Sequence, residues 1–244
     1  MRKIYIFIPI LLLLGFFCTI WLNADETSLP FIPEPGFGQS DLRFIENDGQ
    51  WDTKIKYKAR LNGGDIYFAE NELTYHLYNL PKIGHGHGHW DDHEHEHEQG
   101  AHEEEWKEEG HIFRMKFEGS NTQPHLKPNL RYPNYHNYFI GNEPASWKSG
   151  VNLFGQIDYQ ELYPGIDLRF YGWGNSMKYD FVLDAGVSPD QIRIRYEGLD
   201  KLKLKDGSLI METAVRTLTE LPPIAYQVVN GSKKEVEVNF RLKK

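Results

Sequence analysis

Only one cysteine, Cys18, occurs in the sequence, and it lies inside an apolar N-terminal run. No intramolecular disulfide can form, so stability has to come from the core, and the chain is long enough to bury one. Cys18 follows Phe17 rather than a small residue, which is the wrong context for lipidation. Apolar periodicity of the helical kind is almost missing, which argues against a helical fold. No nucleophile elbow, phosphate-binding loop or dinucleotide fingerprint is present. Positive charge is also short: 27 Lys and Arg stand against 35 Asp and Glu, a net charge of −8.

That deficit belongs to one segment. Residues 83–110 hold ten carboxylates and the single cation Lys107, a formal charge of −9, so the remainder stands at +1. A nearly neutral body offers no electrostatic footprint for nucleic acid. The same segment holds seven of the eleven histidines: His85, His87, His89, His93, His95, His97 and His102. It has too few apolar groups to pack, and the expectation is a long, disordered, solvated His/Glu-rich loop between strands. These seven imidazoles are the candidate metal ligands, for Zn²⁺, Ni²⁺ or Cu²⁺ bound adventitiously, and no cofactor is expected beyond that. His93-Glu94-His95-Glu96-His97 matches H-E-x-x-H formally, but a zinc-protease site needs that motif on a helix. Here it falls out of a His-Glu alternation flanked by glycines. Seven imidazoles beside ten carboxylates also make the segment a candidate pH-responsive patch.

The N-terminus carries Arg2 and Lys3, then an almost wholly apolar run from Ile4 to Leu22, then Asn23, Ala24 and Asp25. This order predicts a secretory signal over 1–24, with an uncleaved membrane anchor over 4–22 as the alternative. Residues 25–41, with Pro30, Pro33, Pro35, Gly36 and Gly38, form a linker.

The body, 42–243, alternates with period two. Ile55, Tyr57, Ala59 and Leu61 alternate with Lys54, Lys56, Lys58 and Arg60, predicting a strand over Lys54–Leu61 whose basic face is solvated. Two further strands complete a meander, and His111–Glu118 resumes the pattern after the insert. Pro124–Pro133 is read as a proline-rich crossing, and Pro144-Ala145-Ser146 as one helical turn. Strands follow over Val151–Tyr159, Ile166–Tyr171 and Met177–Leu183. Asp206-Gly207 and Asn230-Gly231 mark hairpins, the second returning through a last strand over Glu235–Leu242. About a dozen short strands with turn signals between them predict an all-β fold, an antiparallel β-sandwich, one large or two stacked. A subdomain boundary, if two units exist, falls within 119–135.

Strand-borne carboxylates at Asp158, Asp167, Asp180 and Asp184 are the residues from which a glycosidase pair would be drawn. Salt bridges and turn caps are the commoner use of such positions. Trp147, Trp173 and Tyr171 are the aromatics that would stack on a sugar or a partner protein if exposed, against the ordinary alternative of core filling.

Five stretches carry a family resemblance: F-I-E-N-D-G-Q-W (Phe44–Trp51), N-Y-F-I-G-N-E-P-A-S-W (Asn137–Trp147), L-Y-P-G-I-D-L (Leu162–Leu168), K-Y-D-F-V-L (Lys178–Leu183) and P-I-A-Y-Q-V-V-N-G (Pro223–Gly231). In this order they resemble the uncharacterised N-terminal domain of large bacterial surface proteins. Those proteins continue into SBBP β-propeller repeats and a gliding-motility-associated, type IX sorting domain. The resemblance implies an extracellular or cell-surface location and supplies no catalytic residue. Here the sequence ends at Lys244 without such repeats, so a fragment or a stand-alone member is expected. The combined expectation is an exported, non-catalytic structural or adhesion domain whose partner is a cell-surface protein or glycan. The alternatives are an extracytoplasmic divalent-metal-binding protein and a carbohydrate-active protein.

Overall fold

The computed structural model describes residues 4–11, 40–79, 109–174, 176–229 and 232–243. They form sixteen strands: β1 (Ile4–Leu11), β2 (Phe44–Glu46), β3 (Tyr57–Leu61), β4 (Gly64–Phe68), β5 (Glu72–Tyr78), β6 (Gly110–Phe117), β7 (His125–Tyr138), β8 (Lys148–Tyr163), β9 (Ile166–Trp173), β10 (Ser176–Leu183), β11 (Ile194–Glu197), β12 (Lys201–Lys205), β13 (Ser208–Glu212), β14 (Thr217–Glu220), β15 (Ile224–Val229) and β16 (Ser232–Val236). Helix among the described residues is confined to two short 3-10 turns, Pro144–Ser146 and Pro189–Gln191. The main path of the sheet runs β11-β6-β5-β4-β3-β2-β8-β9-β10-β1-β14-β13-β12, with β7 on β8 and β15-β16 on β1. Every pairing among the described residues is antiparallel.

The chain is therefore all-β and antiparallel, and the sheet curls into a half-barrel. The reason for the curl lies in the rings. Phe68 of β4 meets Phe170 of β9 edge-on, with centroids 5.3 Å apart, although three strands separate them in the sheet. Phe44 extends this row on one side, and Tyr159, Tyr179 and Phe181 extend it on the other. Period-two alternation supplies these rings to a single face, because successive side chains of a strand point to opposite faces. The result is one core cluster from Leu42 to Tyr226, drawing on strands either side of residues 119–135.

The two ends of the curled sheet approach each other and are joined by side chains. Tyr196 Oη of β11 donates to Glu220 Oε1 of β14 at 2.8 Å. Arg216, just before β14, donates to the carbonyls of Asn62 and Tyr78. His111 of β6 accepts at Nδ1 from the Ala214 N–H, which leaves Nε2 to donate to the Gly198 carbonyl at 2.7 Å.

Several expected boundaries moved. Pro124–Pro133 is not a crossing: from His125 onward it belongs to β7, which among the described residues pairs only with β8. An edge strand tolerates Pro128 and Pro133 because one row of its backbone groups has no ladder partner to lose. Register shifts after Arg131 and after His136, with Leu130 at φ 57°, absorb the irregularity. The first strand of the meander begins at Tyr57 rather than Lys54, and its basic face is not simply solvated. Asp65 accepts from Lys58 at 2.8 Å and from Arg60 at 3.3 Å. The final strand ends at Val236 because β15 offers backbone partners only as far as the Ala225–Val236 pair. Val238 and Phe240 still pack against the core.

Other expectations agree with the fold. Asp206 and Gly207 both take positive φ and turn β12 into β13, as a two-residue hairpin of the primed type requires. Gly172 marks a close approach: a Cβ there would fall on Ser40 Oγ, which donates to the Gly174 carbonyl at 2.7 Å as the chain enters the body. One strand was not anticipated: Ile4–Leu11, within the apolar run read as an export segment, pairs with β10 on one side and with β15 and then β14 on the other.

Candidate functional site

The end of β7 and the stretch joining it to β8 place large apolar side chains in solvent. Tyr135 is 60% exposed, Phe139 62%, Ile140 64% and Trp147 41%. The connection is held in shape locally. Pro144 opens the 3-10 turn, and the Trp147 N–H donates to the Pro144 carbonyl at 3.1 Å. The indole Nε1 of Trp147 donates to the Gly141 carbonyl, and Phe139 meets the indole edge-on at 5.5 Å. Behind this tip lies a separate small core of Ile45, Val151 and Leu153, against which Trp51, Tyr132 and Tyr138 pack. Trp51 meets Tyr138 edge-on, and the Arg43 guanidinium lies 3.9 Å over the Tyr132 ring. The exposed rings thus stand on an anchored base. Of the three aromatics singled out from the sequence, only Trp147 is at the surface. Tyr171 is buried and donates to Asp180, while half-buried Trp173 takes the Lys178 ammonium 3.9 Å over its ring. Their alternation could not show this, because both faces of β9 and β10 are covered.

Three of the four carboxylates share a face: Asp158, Asp180 and Asp167, the last lying two residues before Arg169 on β9. Asp158 of β8 lies opposite Arg169 of β9, and Arg169 lies opposite Asp180 of β10. Asp158 takes Arg169 Nε at 3.0 Å, Gln156 Nε2 at 2.8 Å and Asn129 Nδ2 at 3.0 Å. Asp180 accepts from Tyr171 Oη at 3.1 Å, and burial pushes its carboxyl well above the ordinary range against the pull of Arg169, Tyr171 and Lys178. The cation stands in the row between Asp158 and Asp180. Asp167 receives the Glu161 N–H at 2.7 Å, and the Asp184 backbone N–H donates to the Gly165 carbonyl.

A buried acid outside this set was missed by sequence reasoning. Glu220 is fully buried in the core, accepting from Tyr196 at 2.8 Å and from Tyr179 at 3.3 Å. Burial raises its carboxyl to about 7, and the two hydroxyls pull the other way. The signal was available: Thr217-Leu218-Thr219-Glu220 alternates, so Glu220 shares the inward face with Leu218.

Comparison with known proteins adds a family. Residues 44–244 match the family described as Domain of unknown function (DUF7948). The chain belongs to that family. No curated protein and no solved structure matches the chain. The DUF7948 match begins at the first residue of β2 and takes in every strand from β2 to β16, so β1 lies outside it.

Within this DUF7948 chain, the seven candidate metal ligands, His85, His87, His89, His93, His95, His97 and His102, lie outside the described residues. Their flanking strands are adjacent: β5 and β6 pair down to Tyr78 opposite Gly110, so the insert joins neighbouring strand ends. Among the described residues, no group of three or more His, Cys, Asp or Glu is placed to hold a metal ion. A shallow polar trough of about 360 Å³ is lined by Thr53, Lys54, Lys56 and Ala69–Glu72, with Lys56 and Glu70 paired across it at 3.3 Å.

Proposed function

We propose that this DUF7948 domain is an exported, non-catalytic β-sandwich module that contacts a cell-surface glycan or protein through the tip between β7 and β8. The observation that carries the reading is the joint exposure of Tyr135, Phe139, Ile140 and Trp147, while the other described Phe, Tyr and Trp rings between Phe44 and Phe240 are buried or half-buried. Contiguous exposed apolar groups on an ordered scaffold mark contact surfaces, and aromatics dominate their energetics. Export is supported by Arg2 and Lys3 ahead of the apolar run, and by the resemblance to the head domains of surface proteins. The non-catalytic reading is supported by Arg169, which pairs with Asp158 and stands between Asp158 and Asp180 in their cross-strand row.

The test is a binding isotherm of labelled protein on isolated cell envelopes. Wild type is compared with the Phe139→Ser/Trp147→Ala double variant, on envelopes that are untreated, protease-treated or periodate-treated. The double variant is expected to bind at least about tenfold more weakly, the loss of one or two interface anchors. Loss of wild-type binding after periodate assigns a glycan, and loss after protease assigns a protein. Equal binding by both proteins contradicts the reading.

A further inference from the structure

Strand β1 is the keystone of the sheet. Among the described residues, β12 to β16 reach β2 to β11 through backbone ladders only by way of β1. It pairs β10 over six positions, from Ile4 opposite Leu183 to Pro9 opposite Lys178. On its other side it pairs β15 from Ile4 opposite Gln227 to Phe7 opposite Ile224, then β14 at Ile10 and Leu11. Ile8 and Pro9 fall between these two stretches, with a partner only in β10, where a proline costs least. Both long pairings are antiparallel, so β10 and β15 run in the same direction. Closing them directly on each other would need a parallel ladder, and no other pairing in the described sheet is parallel. The lips of this slot are apolar: Tyr179, Phe181 and Leu183 on β10, Ala225 and Tyr226 on β15, all buried.

The eight residues that fill the slot are the same residues read as the start of a removable export segment, and they lie outside the DUF7948 match. We propose that the groove between β10 and β15 is a binding site for an extended, apolar polypeptide strand, occupied in the precursor by Ile4–Leu11 and after processing by a strand of another polypeptide. This rests on the export reading above. Strand addition suits the site chemically. Main-chain hydrogen bonds to two lips supply affinity, and alternate positions opposite Tyr179, Phe181 and Leu183 select apolar side chains. The intervening register positions, opposite Asp180 and Lys178, tolerate more polar ones.

The test begins with the folded full chain carrying a protease site between Ala24 and Asp25. After cutting, a fluorescent peptide of the β1 sequence, flanked by lysines for solubility, is added and its uptake followed by anisotropy and native mass spectrometry. The expected result is uptake of one peptide per cut chain. Uncut chain should take up the peptide at least about tenfold less well, because the tethered strand competes at high effective concentration. A peptide with prolines at the positions of Tyr5 and Ile6, which are partnered on both sides, should bind about a hundredfold more weakly, having lost ladder donors. If release of the leader unfolds the chain, peptide present during cutting should keep it folded. No uptake by cut chain, or unfolding that the peptide does not prevent, overturns the proposal. Whether cells remove the leader is read separately from the mass of the exported chain, so failure of the export reading and failure of the slot are distinguishable.

Discussion

Two sets of aromatic rings in this protein make similar edge-on contacts and stand in opposite surroundings. Phe44, Phe68, Phe170 and Tyr179 form a continuous buried row that draws distant strands together. Phe139 and Trp147 meet in the same geometry, yet both rings are open to solvent beside Tyr135 and Ile140. Ring geometry therefore does not separate structural from contact aromatics; what lies behind each ring does. The inner row is backed by both walls of the half-barrel. The outer pair belongs to neither cluster; the small one comes only as near in the chain as Tyr138 and Val151. The first set should carry stability and the second should carry almost none.

The largest effect that sharpens this contrast is expected at Phe170. It touches Phe68, Tyr159 and Tyr179, so Phe170→Ala opens a cavity where the two walls meet. A loss of about 3–5 kcal/mol is expected in denaturant unfolding. A loss under about 1 kcal/mol would show that the walls do not depend on this contact.

Glu220 breaks the pattern of an apolar interior, and its effect is set by pH. Its carboxyl stands at about 7 in the folded chain, above the ordinary 4.5 of the unfolded one, because burial disfavours the charge. The folded state therefore holds the proton more tightly between those values. Its contribution to stability is fully present below about pH 4.5 and is lost as pH rises through about 7, a span of about 3 kcal/mol. Glu220→Gln should flatten that part of the stability profile and raise stability at pH 8. An unchanged profile would place the titration elsewhere.

Gly172 comes next. Its missing Cβ makes room for Ser40, so Gly172→Ala should cost about 1–3 kcal/mol by displacing the chain entry. Pairing the change with Ser40→Gly should recover only part of the loss, because Leu42 Cβ also lies 2.8 Å from the added methyl, and no recovery at all would remove Ser40 as a cause.

Much of this architecture was legible beforehand, and the reasons are local. Alternation over Tyr57–Leu61 and Phe113–Phe117 specified inward faces, and Asp206-Gly207 specified a hairpin. Composition failed where tertiary position overrides it. Pro128 and Pro133 read as a breaker, yet sit in a fourteen-residue edge strand. The apolar run at Ile4–Leu11 matched an export signal, and periodicity carried no sign that it also completes a ladder on both sides. The candidate site was partly visible: the stretch around Asn137–Trp147 stood out by its rings. Burial of Tyr171 and exposure of Phe139 depend on which sheet face is covered, and that is set by strands distant in sequence.

The measurement that tests the contrast most directly is the unfolding free energy of the Phe139→Ser/Trp147→Ala double variant beside Phe170→Ala in the same buffer. Exposed rings away from the core should leave the double variant within about 0.5 kcal/mol of wild type while Phe170→Ala falls steeply. A loss in the double variant comparable to that of Phe170→Ala would make the tip part of the structural core, and would contradict its assignment as a free contact surface.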